Sequence, residues 1–362
     1  MSDDIRVEIE EVVGLDLGDK RSHLCVLSHG SGEILEEGSV ATTRKALLSR
    51  FGGRRRMRIA VEAGTHSPWV AELLEELGHE VLVANPRRLR LIYGNRRKND
   101  KVDARYLAQV ARLDPSLLAP IQHRGSEARA DLAVLRSRDA LVAARTKLIN
   151  HVRGSVKSVG GRLPPSSAPA FGTKKIAERI PRALQPALAE VLACIDELTA
   201  KIRKLDRMIE QMAQNSPAAQ HLMAIKGVGP VTALAYVLTV EDVGRFEKSR
   251  SLGSYFGLTP GSDQSGESNP QKRITKEGDR FVRRLLVGSA HYILGPFGED
   301  CDLRRYGLKI VAKGGKYAKK RAVVAVARKL AVMMHALLVT GEVYDPFYTS
   351  RRRGEEEVAR PA

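Results

Sequence analysis

Aromatic side chains are scarce: Phe, Trp and Tyr make up 5% of the 362 residues, with a single Trp. The cores must therefore be built from Leu, Val, Ile and Ala, which suits helices. Stacking of bases on aromatic rings cannot be the main way such a chain holds a single strand. Cysteine is also rare. Cys25, Cys194 and Cys301 lie far apart, with no CxxC pair and no Cys/His spacing. That excludes a zinc knuckle and a disulfide framework, and a reducing cytoplasm fits. The start of the chain, MSDDIRVEIEE, is acidic and lacks the apolar stretch of a signal peptide. The most apolar run, Ala322 to Val339, is broken by Arg328, Lys329 and His335, so no membrane span is expected.

Acid is in deficit against base. Lys and Arg number 60 against 42 Asp and Glu, a formal net charge of +18. Such an excess speaks of partners and not of fold. Nucleic acid is the expected partner, although a merely basic or ribosome-associated protein would carry the same balance.

Periodicity divides the chain into regions 1–120, 121–215 and 216–345, with a tail at 346–362. In the first, Val12 to Leu17 alternates apolar residues with Gly14 and Asp16, the signature of a strand. His23 to Leu27 and Ile34 to Val40 continue a meander, and Met57 to Val61 and Glu80 to Ala84 add two strands. Helices are expected over Pro68 to Leu77 and from Asn99 to Leu113. The fold class is α/β followed by α: a mixed sheet flanked by helices, then mostly helix. In the second region Leu188, Val191, Leu192, Ile195, Leu198, Ile202, Leu205 and Ile209 form an apolar stripe. Its steps fit a coiled-coil seam between subunits, or equally a helix packed within one. The breaker cluster from Gly160 to Ser167 precedes it. The third region is mostly helical around a polar loop at 259–280, and the tail, with Arg351-Arg352-Arg353 followed by acids, reads as disordered.

Four acids stand out. Asp16 sits in a strand between Gly14 and Gly18, where missing side chains leave room for a backbone, a phosphate or a metal. Glu62 ends a strand just before Ala63-Gly64, and Asp100 and Asp103 project from one face near a helix start. Together they make a hard-oxygen set suited to Mg²⁺. Two such metals can activate an attacking oxygen and stabilise a leaving one. Each acid also has a plainer use: Asp100 and Asp103 as partners of the helix dipole, and Glu62 as a strand end facing water.

The runs Val13-Gly14-Leu15-Asp16-Leu17-Gly18, Val61-Glu62-Ala63-Gly64 and Lys98-Asn99-Asp100-Lys101-Val102-Asp103-Ala104 resemble the DEDD domain of the insertion-sequence one-ten family of transposases. Asn99 stands where that family more often has Thr or Ser. The resemblance implies a ribonuclease-H-like fold related to the RuvC resolvase, with Asp16, Glu62, Asp100 and Asp103 binding Mg²⁺.

A second block strengthens it. Gly257-Leu258-Thr259-Pro260, then Ser265-Gly266, then Ile274-Thr275-Lys276 with Gly278, and Arg283-Arg284 with Leu286 resemble the family's C-terminal motif. Read from physics alone this is a polar loop, and a serine without a neighbouring base is a weak nucleophile. The resemblance implies that Ser265 is the catalytic nucleophile and forms a covalent phosphoserine. The serine of one subunit would act with the carboxylates of another. Ser262 lies in the same loop, so the assignment rests on alignment to Pro260 and Gly266. The resemblance spans nearly the whole chain and implies further partners: donor and target DNA, a guide called the bridge RNA, and a homo-oligomer, dimer or tetramer.

Basic residues flank both blocks. Arg96, Arg97, Lys98 and Lys101 crowd Asp100, and Lys272, Arg273, Lys276, Arg283 and Arg284 follow Ser265. They are candidate contacts to nucleic-acid phosphates, which position a strand but read no sequence; a solvated surface is the alternative. Another motif, Ile225-Lys226-Gly227-Val228-Gly229-Pro230, separates two apolar helical stretches. It fits either a helix-hairpin-helix turn that offers amides to a phosphate or an ordinary glycine-capped corner. Two rival functions stay open beside the transposase: a Holliday-junction-type nuclease in which the carboxylates activate water, and a non-enzymatic RNA-binding protein.

Overall fold

The computed structural model describes residues 9–87, 100–262 and 272–352, with Asp100 described in its backbone alone. The chain separates into two compact units, Met1–Arg124 and Gly125–Ala362.

In the first unit, strands β1 (Glu11–Asp16), β2 (Arg21–Ser28) and β3 (Ile34–Ala41) form an antiparallel meander. Strands β4 (Arg58–Glu62) and β5 (Glu80–Ala84) add in parallel on the other side of β1. The order is β3-β2-β1-β4-β5, a mixed sheet as the alternation predicts. Because strand side chains alternate between faces, one set (Val13, Leu15, Ile59, Val61) packs with Leu47 and Phe51 of helix α1 (Arg44–Phe51) and Val70 and Leu74 of α2 (Ser67–Glu76). The other set (Val12, Ala60, Ala84) packs with Leu107 and Ala111 of α3 (Asp100–Leu113). Helix α1 was not expected from the sequence. Thr43 caps it by accepting a hydrogen bond from Ala46 N at 3.3 Å.

In the second unit, α4 (Ser126–Ser158) ends just before the Gly160–Ser167 breakers; a short α5 (Thr173–Ala177) follows, then α6 (Gln185–Gln214). Arg138 of α4 pairs with Asp206 of α6 at 2.6 Å, and Arg145 donates to Thr199 at 3.4 Å. One number rises as the other falls, so the two helices run antiparallel. Leu188, Leu192, Ile195, Ile202 and Ile209 of the α6 stripe are buried within the chain, which is the intrasubunit use of that periodicity. Helices α7 (Pro217–Met223), α8 (Pro230–Val240), α9 (Ser251–Tyr255), α10 (Arg280–Leu294), α11 (Asp302–Ala312) and α12 (Ala318–Thr340) enclose the remaining core.

Helix α12 is long and apolar enough to cross a membrane, but half of its most apolar window (50%) is buried inside the fold. Ala322, Val326, Leu330 and Met334 face the core, Ala331 O accepts from the Tyr236 hydroxyl at 2.6 Å, and His335 contacts Ser249 Oγ at 2.9 Å. Its apolarity has a packing cause. The tail was expected to be disordered from 346 on, but 346–352 is docked. Pro346 O accepts from Asp302 N at 2.8 Å, and Ser350 donates to the Asp302 carboxylate from its hydroxyl and its amide. A carboxylate at the start of α11 gives this segment a partner that its own sequence does not advertise. Residues 353–362 lie outside the described residues.

Candidate active site

Strand β1 runs parallel to β4 with Leu15 opposite Val61. The next residues are Asp16 and Glu62, so both acids end neighbouring strands at the same edge of the sheet. Both share the parity of Val12, Gly14 and Ala60, whose face carries α3.

Helix α3 is held against that face by backbone contact. An added Cβ at Gly14 would stand 1.9 Å from Ala104 O and 2.5 Å from Ala108 N. Ala104 and Ala108 lie over Gly14 and its neighbour Cys25, while Leu107 and Ala111 lie over Val12 and Ala60. The helix therefore runs opposite to β1. Its first turn, with Asp100 and Asp103, points toward the strand ends that bear Asp16 and Glu62. Two ion pairs brace the packing. Arg105 of α3 meets Glu37 of β3 at 2.8 Å, and this hydrogen bond holds the Glu37 carboxyl below its usual range. Arg58 of β4 meets Glu80 at 2.8 Å and donates to Ala111 O at 3.3 Å. Beyond Glu62, buried Ser67 accepts from Gly64 N at 2.9 Å and shapes the turn into α2.

Asp16 and Asp103 are half-buried and Glu62 is exposed. An all-oxygen donor set at an open edge fits a hard divalent cation. Among the described residues no group of three or more His, Cys, Asp or Glu side chains is placed to hold a metal. Asp16, Glu62 and Asp103 therefore do not by themselves form a metal-holding cluster, and Asp100 heads the same helical turn as Asp103. Lys101 is exposed beside it, whereas Arg96, Arg97 and Lys98 lie outside the described residues.

In the second unit the flanks of the polar loop are tied together. Pro260 and Ile274 form an antiparallel bridge, Gly261 N donates to Arg273 O at 2.9 Å, and Thr275 N donates to Thr259 O at 2.9 Å. Gly257 and Gly278 have φ of +63° and +73°, and a Cβ at Gly278 would stand 1.8 Å from Tyr255 O. Only glycine permits that approach. These contacts join Thr259–Gly261 to Arg273–Thr275; residues 263–271, Ser265 among them, lie outside the described residues.

The basic residues that follow divide by use. Arg283 donates to Phe256 O at 2.9 Å and Glu277 O at 2.6 Å, fastening α10 to both glycine turns. Arg284 pairs with Asp139 at 2.5 Å on the surface. Lys272, Arg273 and Lys276 are exposed, and Lys276 has a φ of +58°. Arg283 is thus spent on backbone carbonyls of the two glycine turns, a use that counting charges could not reveal. Arg283→Ala is expected to lower the unfolding free energy by about 2 kcal/mol, the worth of a charged hydrogen bond to the part-buried Phe256 carbonyl with a smaller share from the exposed one to Glu277. The salt dependence of DNA binding should stay as in the unaltered protein; thermal unfolding and a salt titration check both.

Family comparison bears on both halves of this arrangement. A transposase model with a DEDD domain, DEDD_Tnp_IS110, matches residues 13–160, and the model of the transposase IS116/IS110/IS902 family matches residues 219–296. The chain belongs to this family of transposases. Relatives are similar along most of their length. The transposase for insertion sequence element IS1111A of Coxiella burnetii is 27% identical over 92% of this chain and 91% of its own. The transposase for insertion sequence element IS1328 of Yersinia enterocolitica is 27% identical over 92% of this chain and 98% of its own. The transposase is therefore an insertion-sequence enzyme of DNA cleavage and rejoining, and its DEDD domain implies a divalent metal. The DEDD match takes in β1, β4 and α3, and the second match takes in the hairpin before α8 and both flanks of the Ser265 loop.

Proposed function

We propose that this transposase exchanges strands between its element and a target through a covalent phosphoserine at Ser265, on a ribonuclease-H-like domain whose Asp16, Glu62, Asp100 and Asp103 hold Mg²⁺. The observation that carries the reading is the meeting of Asp16 and Glu62 at one sheet edge beneath the first turn of α3. The meander continued by two parallel strands supports the ribonuclease-H-like assignment.

The Ser265 oxygen attacks the scissile phosphorus, forming an O–P bond as the bond to one sugar oxygen breaks. The hydroxyl proton leaves with solvent, and the departing sugar oxygen takes one up. A sugar hydroxyl of the partner strand then displaces the serine, so the phosphodiester is restored without an outside energy source. Mg²⁺ bound at the carboxylates supplies Lewis acidity that lowers the pKa of the attacking oxygen and offsets charge on the leaving one. Exposed Lys272, Arg273 and Lys276 draw in phosphate, as do Arg96, Arg97, Lys98 and Lys101 near the acids and Arg284 on α10. Contacts to backbone phosphate read no sequence. Target choice is therefore assigned to a bridge RNA whose loops pair with donor and target DNA, in a homo-oligomer, dimer or tetramer. The +18 charge supports so much polyanion on one protein.

The test is to incubate protein, guide RNA, donor and target DNA with Mg²⁺ and look for a protein–DNA adduct. An adduct that is lost in Ser265→Ala supports the reading. Cleavage that survives Ser265→Ala points instead to a resolvase-type nuclease in which the carboxylates activate water.

A further inference from the structure

Two turns leave the sheet at the edge where Asp16 and Glu62 end their strands, and a histidine joins them. Asp19 follows Asp16 in the turn from β1 to β2, and His66 follows Glu62 at the start of α2. His66 Nε2 stands 3.5 Å from Asp19 Oδ1. The carboxylate chemistry uses neither residue.

The imidazole is held in one tautomer. Trp69 Nε1, which can only donate, directs its N–H at His66 Nδ1 at 3.2 Å. The two rings meet edge to face, with centroids 6.1 Å apart. Nδ1 is therefore the acceptor, and the neutral ring carries its proton on Nε2. The turns that bear the pair are themselves pinned. Thr42 Oγ1 donates to Gly18 O at 2.9 Å, and an added Cβ at Gly18 would stand 2.2 Å from Arg21 O. On the other side Gly64 N donates to the buried Ser67 Oγ at 2.9 Å, and that hydroxyl lies 2.9 Å from His123 Nε2. A donor oriented in advance needs no reorganisation when charge develops beside it.

The present acceptor of that donor is loose. The Asp19 side chain is 91% exposed, and its 3.5 Å contact lies beyond the roughly 2.7–3.2 Å of a well-made N–H···O bond. The His66 side chain is 30% exposed, so Nε2–H can exchange a solvated carboxylate for a better-placed anion. At this edge of the sheet, the anion that the reaction must bring in is the phosphodiester.

We infer that His66 is a further catalytic residue, whose Nε2–H displaces Asp19 and donates to a non-bridging oxygen of the scissile phosphate. It stabilises the charge that gathers there as the phosphorus is attacked. The proton stays on nitrogen throughout, so His66 acts as a hydrogen-bond donor and not as an acid. The inference rests on cleavage at the carboxylate edge.

The plainer use of the pair is to clasp the two turns, and Asp19→Ala tells the uses apart. Single-turnover cleavage by the full chain is followed with guide RNA, donor and target DNA in saturating Mg²⁺. DNA affinity in EDTA and thermal unfolding are measured alongside. His66→Ala is expected to cleave about a hundredfold more slowly, with DNA affinity changed by less than about threefold, since one phosphate contact among many is lost. His66→Gln keeps a donor nitrogen and should recover to within about tenfold of the unaltered rate. Asp19→Ala cuts the clasp but leaves the donor, so it should cleave at least as fast as the unaltered protein. Equal losses in Asp19→Ala and His66→Ala overturn the inference. So does an unaltered rate in His66→Ala, or a loss there that His66→Gln does not relieve. If His66→Ala fails to fold, His66→Met decides, because its thioether accepts weakly from Trp69 and donates nothing. A loss of about a hundredfold then supports the donor, and the unaltered rate overturns it. Asp16→Asn is run beside these variants. Cleavage that needs Asp16 but not His66 overturns the inference alone. Cleavage that needs neither, or none by the unaltered protein, overturns the carboxylate edge as well.

Discussion

Asp16→Asn is expected to slow strand cleavage by about a thousandfold while the protein still folds and binds DNA. The size follows from the several kcal/mol of charge stabilisation that a catalytic metal contributes, at about 1.36 kcal/mol per factor of ten. Asn has the shape of Asp and keeps one oxygen, but it loses the charge that binds a cation. Asp16 is half-buried at the end of β1, next to Glu62 on β4. A neutral side chain there is tolerated by the sheet, so stability should change by less than about 1 kcal/mol. Single-turnover cleavage across a Mg²⁺ series, with thermal unfolding alongside, checks both halves. Cleavage at the unaltered rate would mean that Asp16 holds no metal.

Gly14→Ala is expected to be as damaging by a different route. The new methyl would meet Ala104 O and Ala108 N at 1.9 and 2.5 Å. Both are backbone atoms of α3, so no rotamer change relieves the clash and the helix must move as a body. Overpacking of this kind costs about 3 kcal/mol, a drop in melting temperature of roughly 10 °C. Asp103 is adjacent to Ala104, so cleavage should fall with stability. Gly38→Ala in β3, where an added Cβ meets nothing within 4 Å, should change neither.

That glycine shows how far the sequence could be read. Residues around Asp16 announced a close approach, but backbone, phosphate and metal all fit the missing side chain. The structure puts the backbone of α3 at Gly14. The strands were legible because half-buried strands alternate, and the observed β1 differs by a residue from the expected Val12 to Leu17. The neighbourhood of Asp16 and Glu62 was not legible from spacing, because a parallel register is set by packing on both faces of the sheet. Residue type suggested the four acids as one hard-oxygen set beside plainer uses, and the family likeness favoured the set. Helix α1 was missed because two buried residues, Leu47 and Phe51, make too short a stripe to announce it. The α6 stripe was seen, yet its period serves a partner helix of either origin, and here it is spent on α4. Basic runs are equally mute about partners: Arg283 and Arg284 are adjacent in sequence, but one fastens carbonyls and the other pairs with Asp139 on the surface.

The central claim is that the carboxylate edge and the loop serine act on one phosphate. Its most direct test is to trap the protein–DNA adduct in Mg²⁺, digest it and locate the attached nucleotide by mass spectrometry, with Asp16→Asn run beside it. The account predicts a nucleotide on Ser265 in the unaltered protein and none in Asp16→Asn. A nucleotide on Ser262 or Ser268, or an adduct that forms as readily in Asp16→Asn, would contradict it.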